Sequence, residues 1–200
     1  MRFFRTPSAG STLPATPDEI RSACTRLSGQ ETRGALGSAI ATLVLASSPR
    51  DLQQMRWNFS AQIQDYTPEY RKLLEETITA HLHGTFQQVR LMNQQGAFAP
   101  MTDPVAPDAP AYWEMVASRC TTGREEGDRF RLLKYLLSGF CMFVQRIPGH
   151  PVGMPFPGGD RVDCIDGVYY CPVRTKANDV DAALCPYCPA LQTPESGYLK

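Results

Sequence analysis

No apolar run in this chain is long enough to cross a bilayer. The longest, Ala35 to Ala46, is interrupted by Gly37, Ser38 and Thr42 and falls short of the ~20 residues a helical span needs. Neither sign of charge dominates: Lys plus Arg and Asp plus Glu number 20 each, so the formal net charge is zero. A dedicated nucleic-acid binder generally carries a basic excess or stripe. Nucleic acid is therefore an unfavoured partner, and no membrane partner is expected. Met1-Arg-Phe-Phe-Arg-Thr-Pro-Ser is charged but leads into no apolar segment, unlike a secretory signal. The expected location is cytoplasmic.

Catalytic signatures are missing too. There is no GxGxxG, P-loop, GxSxG or HExxH, each of which would tie a fixed spacing to a reaction. No pair of carboxylates stands out as an acid–base couple. Whether the chain is an enzyme stays open at this level.

What is present reads as a helical scaffold. Hydrophobic residues make up 42% of 200 residues, enough for one domain with a real core. Residues 1–14 are rich in Ser, Pro, Gly and Thr and read as a flexible tail. Thr16-Pro17-Asp18-Glu19 combines a cap, a first-turn proline and a capping-box glutamate, which predicts a helix to about Leu27. Glu31 to Ser47 predicts a buried helix weakened by Gly34 and Gly37. Ser48-Pro49-Arg50-Asp51 starts another, to about Ile63.

Thr67-Pro68-Glu69 opens the longest helix. Tyr70, Leu74, Ile78, Leu82, Phe86 and Val89 recur at three- or four-residue steps, and Leu73, Thr77 and His81 widen that stripe. Four prolines between 96 and 110 mark a connector. A short helix follows through Tyr112, Trp113, Met115 and Val116. The last long helix, Glu125 to Gln145, is apolar on nearly every face from Leu132 to Val144, which predicts a central position. The expected class is mainly α: a bundle of about six helices over 15–146, with an irregular, cysteine-clamped segment, 147–200, packed on it.

That segment carries the chemistry. Residues 146–200 hold eight of the 17 prolines, six of the 15 glycines and four of the seven cysteines. Cys185-Pro-Tyr-Cys188 puts two sulfurs on one tight turn, and thirteen residues separate Cys185 from Cys171. Soft thiolates so placed select zinc or an iron–sulfur cluster. In a reducing compartment such clusters are ligands more often than disulfides, and an odd cysteine count fits a complete disulfide set poorly. Cys164 and His150 compete for a fourth metal position. Between Cys164 and Cys171, Asp166-Gly167 reads as a hairpin turn flanked by short strands at Val162 and Val168–Tyr170. Asn178 could cap a turn reaching Leu184.

Competing readings are weaker. Cys-Pro-Tyr-Cys is also a glutaredoxin-type redox sequence, but that motif requires a strand before it and a helix after it. Here the chain runs on through Ala-Leu-Gln-Thr-Pro. A zinc-knuckle nucleic-acid binder conflicts with the charge balance. His81 and His83 are two apart and so face different ways on a helix; His81 reads as a core histidine, His83 as exposed. Cys24, Cys120 and Cys141 read as core residues, as free cysteine often is. The segment Pro155-Phe-Pro-Gly-Gly159 reads as a connector, or as a backbone-lined ligand wall.

Three stretches carry a resemblance: Ile147-Pro-Gly-His-Pro-Val-Gly-Met-Pro-Phe-Pro-Gly-Gly, Val168-Tyr-Tyr-Cys-Pro-Val-Arg and Asp179-Val-Asp-Ala-Ala-Leu-Cys-Pro-Tyr-Cys-Pro-Ala190. They resemble a family of roughly this length, found mainly in methanogenic archaea and without an established activity. Tyr66-Thr-Pro-Glu-Tyr-Arg71 extends the likeness toward the N-terminus. The resemblance implies an archaeal, cytoplasmic protein and draws attention to His150, Cys171, Cys185 and Cys188. Cys164 is not part of that pattern. The resemblance also raises iron–sulfur against zinc, since methanogen cytosol is anaerobic. The resulting expectation is a metal- or iron–sulfur-binding accessory protein acting through an unidentified protein partner. The alternative is an enzyme with an open, cysteine-ligated metal site near His150.

Overall fold

A computed structural model describes residues 13–123, 125–175 and 184–194. Among them are six α-helices, α1 (Pro17–Ser28), α2 (Arg33–Val44), α3 (Pro49–Gln62), α4 (Pro68–Gln94), α5 (Ala109–Arg119) and α6 (Glu125–Gly139). The expected turn at Asn178 lies outside the described residues.

Helix starts follow local chemistry. The Thr16 hydroxyl accepts from the Glu19 N–H while the Glu19 carboxylate accepts from the Thr16 N–H, which satisfies donors a bare helix end would leave open. Ser48 and Asp51 repeat the device at α3. Asp51 also pairs with Arg129 of α6 at 3.0 Å, so one buried carboxylate closes a cap and ties two helices. The N-terminus of α2 is capped from farther away. Besides its Thr32 cap, Arg33 and Gly34 donate their N–H groups to the carbonyls of Asp103 and Met101 in the 96–108 connector, each at 2.9 Å.

The stripe of α4 buries Leu74, Ile78, Leu82, Phe86 and Val89, but Leu73 stays 40% exposed. The buried face is narrower than the periodicity implies. α6 occupies the centre: Leu132, Leu133, Leu136 and Leu137 are fully enclosed. Its expected continuation to Gln145 is corrected by the backbone, because Phe140–Gln145 widens into a π-helix, a form found often at functional sites. That segment ends at Arg146 in the left-handed region, φ 60°. Leu13, assigned by the sequence to the tail, is buried in the core.

Beyond Ile147 the chain forms a small sheet, β1 (Asp163–Ile165), β2 (Val168–Cys171) and β3 (Leu191–Gln192), in that order. β1 and β2 are antiparallel across Asp166 (φ 50°) and Gly167 (φ 80°), the two positive φ values a type I′ hairpin requires. β3 runs parallel to β2, pairing Tyr170 with Leu191 and Cys171 with Gln192. The segment is docked on the helices. Tyr187 meets Tyr112 edge to face at 5.3 Å, and the Tyr70 hydroxyl donates to the Pro155 carbonyl at 3.1 Å. Met154, Val162, Cys171 and Ala190 belong to the same core as α1–α6.

Candidate functional site

Two neighbourhoods carry chemistry: the thiols of the small sheet, and a cavity between α4, α6 and the 147–154 segment.

Parallel pairing of β3 with β2 brings the chain around Cys185–Cys188 back beside Cys171. Cys185-Pro-Tyr187 is a single 3-10 turn. Cys171 and Cys185 are buried and Cys188 is partly exposed. The Cys171 thiol is pushed up chiefly by burial; the Val173 N–H opposes that, and Cys185 and Cys188 add to it. Cys185 is likewise pushed up by burial and by Cys188, with Arg174 pulling down. The three thiols therefore share one electrostatic neighbourhood beside one guanidinium. Among the described residues, however, no three His, Cys, Asp or Glu side chains converge closely enough to hold a metal ion.

The other two candidate ligands sit elsewhere. Cys164 is exposed on β1, opposite Tyr169. His150 lines the cavity, where its ring meets Phe156 edge-on at 6.4 Å. Neither is among the groups that bear on the Cys171 or Cys185 thiols. Redox chemistry at Cys185-Pro-Tyr-Cys188 lacks its usual support, because a three-residue turn leads into β3 instead of a helix and burial raises the thiol instead of lowering it.

The cavity measures about 320 Å³ and is lined by His81, Lys134, Ser138 and His150 within a mostly apolar wall that includes Leu184. Burial is the main cause holding His150 down to about 4, with Lys134 and His81 adding to it. Burial also lowers His81, countered by the Gly149 backbone, and it lowers Lys134, with Arg131 adding. His81 Nε2 lies 4.0 Å from the Cys141 sulfur, which in turn meets Thr85 Oγ1 at 3.6 Å. Burial pushes Cys141 up to about 11, so at neutral pH this pair is a thiol beside an imidazole and not an activated nucleophile.

His81 was read from sequence as a core residue, yet it opens onto the cavity. Local sequence pattern does not single out Ser138, and helical periodicity does not single out Lys134. The available signal was Lys134 itself, the one charge between Leu132 and Val144. The Pro155–Gly159 segment does form a wall: with Tyr66, Tyr70 and Leu73 it bounds a second cavity of about 400 Å³.

Enclosed histidines give stability a pH dependence. An unfolded histidine takes up a proton near pH 6.5, whereas His150 resists until about 4. Between those values the unfolded chain binds more protons, so stability falls as pH drops from about 6.5 to 4. His81 acts in the same direction. Urea midpoints measured at about pH 7 and about pH 5 should show the drop, and His150→Asn should shrink it. An unchanged slope in that variant would refute the assignment.

Residues 32–193 match the family described as an uncharacterized protein conserved in archaea (DUF2115). The chain belongs to that family. A UPF0305 protein of Methanothermobacter thermautotrophicus is 52% identical over 52 residues, covering 26% of this chain and 34% of the relative. One of Methanopyrus kandleri is 38% identical over 64 residues, 32% of this chain and 45% of the relative. One of Methanococcus maripaludis is 31% identical over 67 residues, 34% and 39% respectively. The matched stretches thus span less than half of each relative's own length. No solved structure matches the chain. Family membership agrees with the resemblance carried by the tail motifs, and the mainly α architecture agrees with the helical periodicity. Among the described residues no helix is long and apolar enough to cross a membrane.

Proposed function

We propose that the chain binds zinc or an iron–sulfur cluster through Cys171, Cys185 and Cys188, as an accessory protein acting through a protein partner. The supporting observation is electrostatic: Cys185 and Cys188 both raise the Cys171 thiol, Cys188 raises Cys185, and Arg174 lowers both, on two chain segments joined through the pairing of β2 with β3. The Val173 N–H favours the Cys171 thiolate, the form a metal takes. Among the described residues the thiols do not converge on one point, so loading draws the Cys185–Cys188 turn in against Cys171. Because burial raises the Cys171 and Cys185 thiols, metal binding there releases protons and strengthens with pH.

Metal content and visible absorption of anaerobically purified protein test this. The expected result is zinc, or iron with a brown absorption, lost in Cys185→Ser and Cys188→Ser. Absence of both metals, with no uptake on reconstitution, overturns the proposal.

One observation favours the enzyme alternative. Leu184, the residue before Cys185, lines the same cavity as His150, so an open coordination position there would face a pocket. A metal spectrum that shifts when small ligands are added would separate that case from a closed clamp.

A further inference from the structure

Lys134, Ser138 and His150 line one cavity, and among the described residues none of the three has a hydrogen-bond or ion-pair partner. The Lys134 ammonium lies over the Tyr135 ring, 5.6 Å from nitrogen to centroid. Among the described residues no aspartate or glutamate lines the cavity. A cation withdrawn from water without a counter-charge is costly, and such groups are normally paired. A hydroxyl and an imidazole left open beside it add two hydrogen-bonding groups in the same place.

We infer that this cavity binds a small amphipathic carboxylate, with its head on Lys134, Ser138 and His150 and its apolar body against Phe59, Ile63, Leu74 and Met154. The volume, about 320 Å³, accommodates about ten non-hydrogen atoms at ~30 Å³ each. The balance of charge selects the class. One ammonium with two neutral groups matches a monoanion; a dianionic phosphate would leave charge uncompensated inside an apolar wall. The apolar lining gives the rest of the molecule a reason to enter, as in small-molecule sites generally.

Isothermal titration of the full chain with hydrocinnamate, with the neutral hydrocinnamamide and with inorganic phosphate tests the inference. Hydrocinnamate should bind saturably, the amide about tenfold more weakly or worse, and phosphate without measurable heat. Lys134→Met should reduce hydrocinnamate affinity about tenfold and leave the amide unchanged. No saturable binding of the acid, equal binding of acid and amide, preference for phosphate, or unaltered affinity in Lys134→Met overturns it. The acid–amide comparison uses the unaltered chain, so it decides the matter even where the variant fails to fold. No thiol is changed, so the outcome is independent of metal binding.

Discussion

Trp113→Ala lowers the unfolding free energy by about 3–5 kcal/mol, the range for deleting a large enclosed aromatic side chain. Trp113 is 0% exposed, meets Tyr112 edge to face at 4.9 Å, and lies so close to α6 that a Cβ on Gly139 would come within 2.7 Å of its ring. The space cannot simply close, because α5 is held against α1 on one side and α6 on another. Trp113→Phe should cost less. Among the described residues the indole N–H has no hydrogen-bond partner, so removing it also removes an unsatisfied buried donor. Denaturant midpoints followed by circular dichroism would check both. A loss below about 1 kcal/mol for the alanine variant would mean the site collapses and the packing is not as described. Against a typical total of about 5–15 kcal/mol, the expected loss is a large share.

Gly34→Ala should cost about 3 kcal/mol or more, combining overpacking with broken backbone hydrogen bonds. A Cβ at residue 34 would sit 2.2 Å from the Phe98 carbonyl oxygen and 2.9 Å from that of Met101. Both obstacles are backbone, so the 96–108 connector must move. It is the same connector whose carbonyls take the Arg33 and Gly34 N–H groups. Moving it uncaps α2. Gly84→Ala is the control: a Cβ there meets nothing within 4 Å, and the change should stabilise α4 by up to about 1 kcal/mol. Helix propensity alone assigns the two substitutions the same sign. If Gly34→Ala also stabilises, the close approach of connector and helix is wrong.

Much of the helical frame is legible in the chain because its signals are local. Thr16 with Glu19 and Ser48 with Asp51 name two helix starts within four residues each. Gly29 marks the end of α1, and Ile63 that of α3. Asp166-Gly167 names the hairpin, since few other pairs adopt two positive φ values. The nearly uninterrupted apolar stretch at Leu132–Val144 places α6 at the centre, because only a helix surrounded by others can bury every face. The pairing of Cys185 and Cys188 on one turn was also readable, since only two residues separate them.

The rest depends on separations no local pattern encodes. The cavity is made by His81 on α4, Lys134 and Ser138 on α6, and His150 after the π-helix; their convergence follows from how the helices cross. A lysine in an apolar run reads as an interruption until the structure shows that no carboxylate of the described residues shares its cavity. Gly34 reads as a weak point in a helix until a neighbouring carbonyl is found where a Cβ would stand. The chain by itself determined where most helices begin, which of them lies innermost, and where the hairpin turns, because capping, periodicity and turn chemistry act within a few residues. Only the tertiary structure decided which polar groups are left facing one another without partners, because desolvation and crowding are properties of the assembled surroundings and not of any single segment.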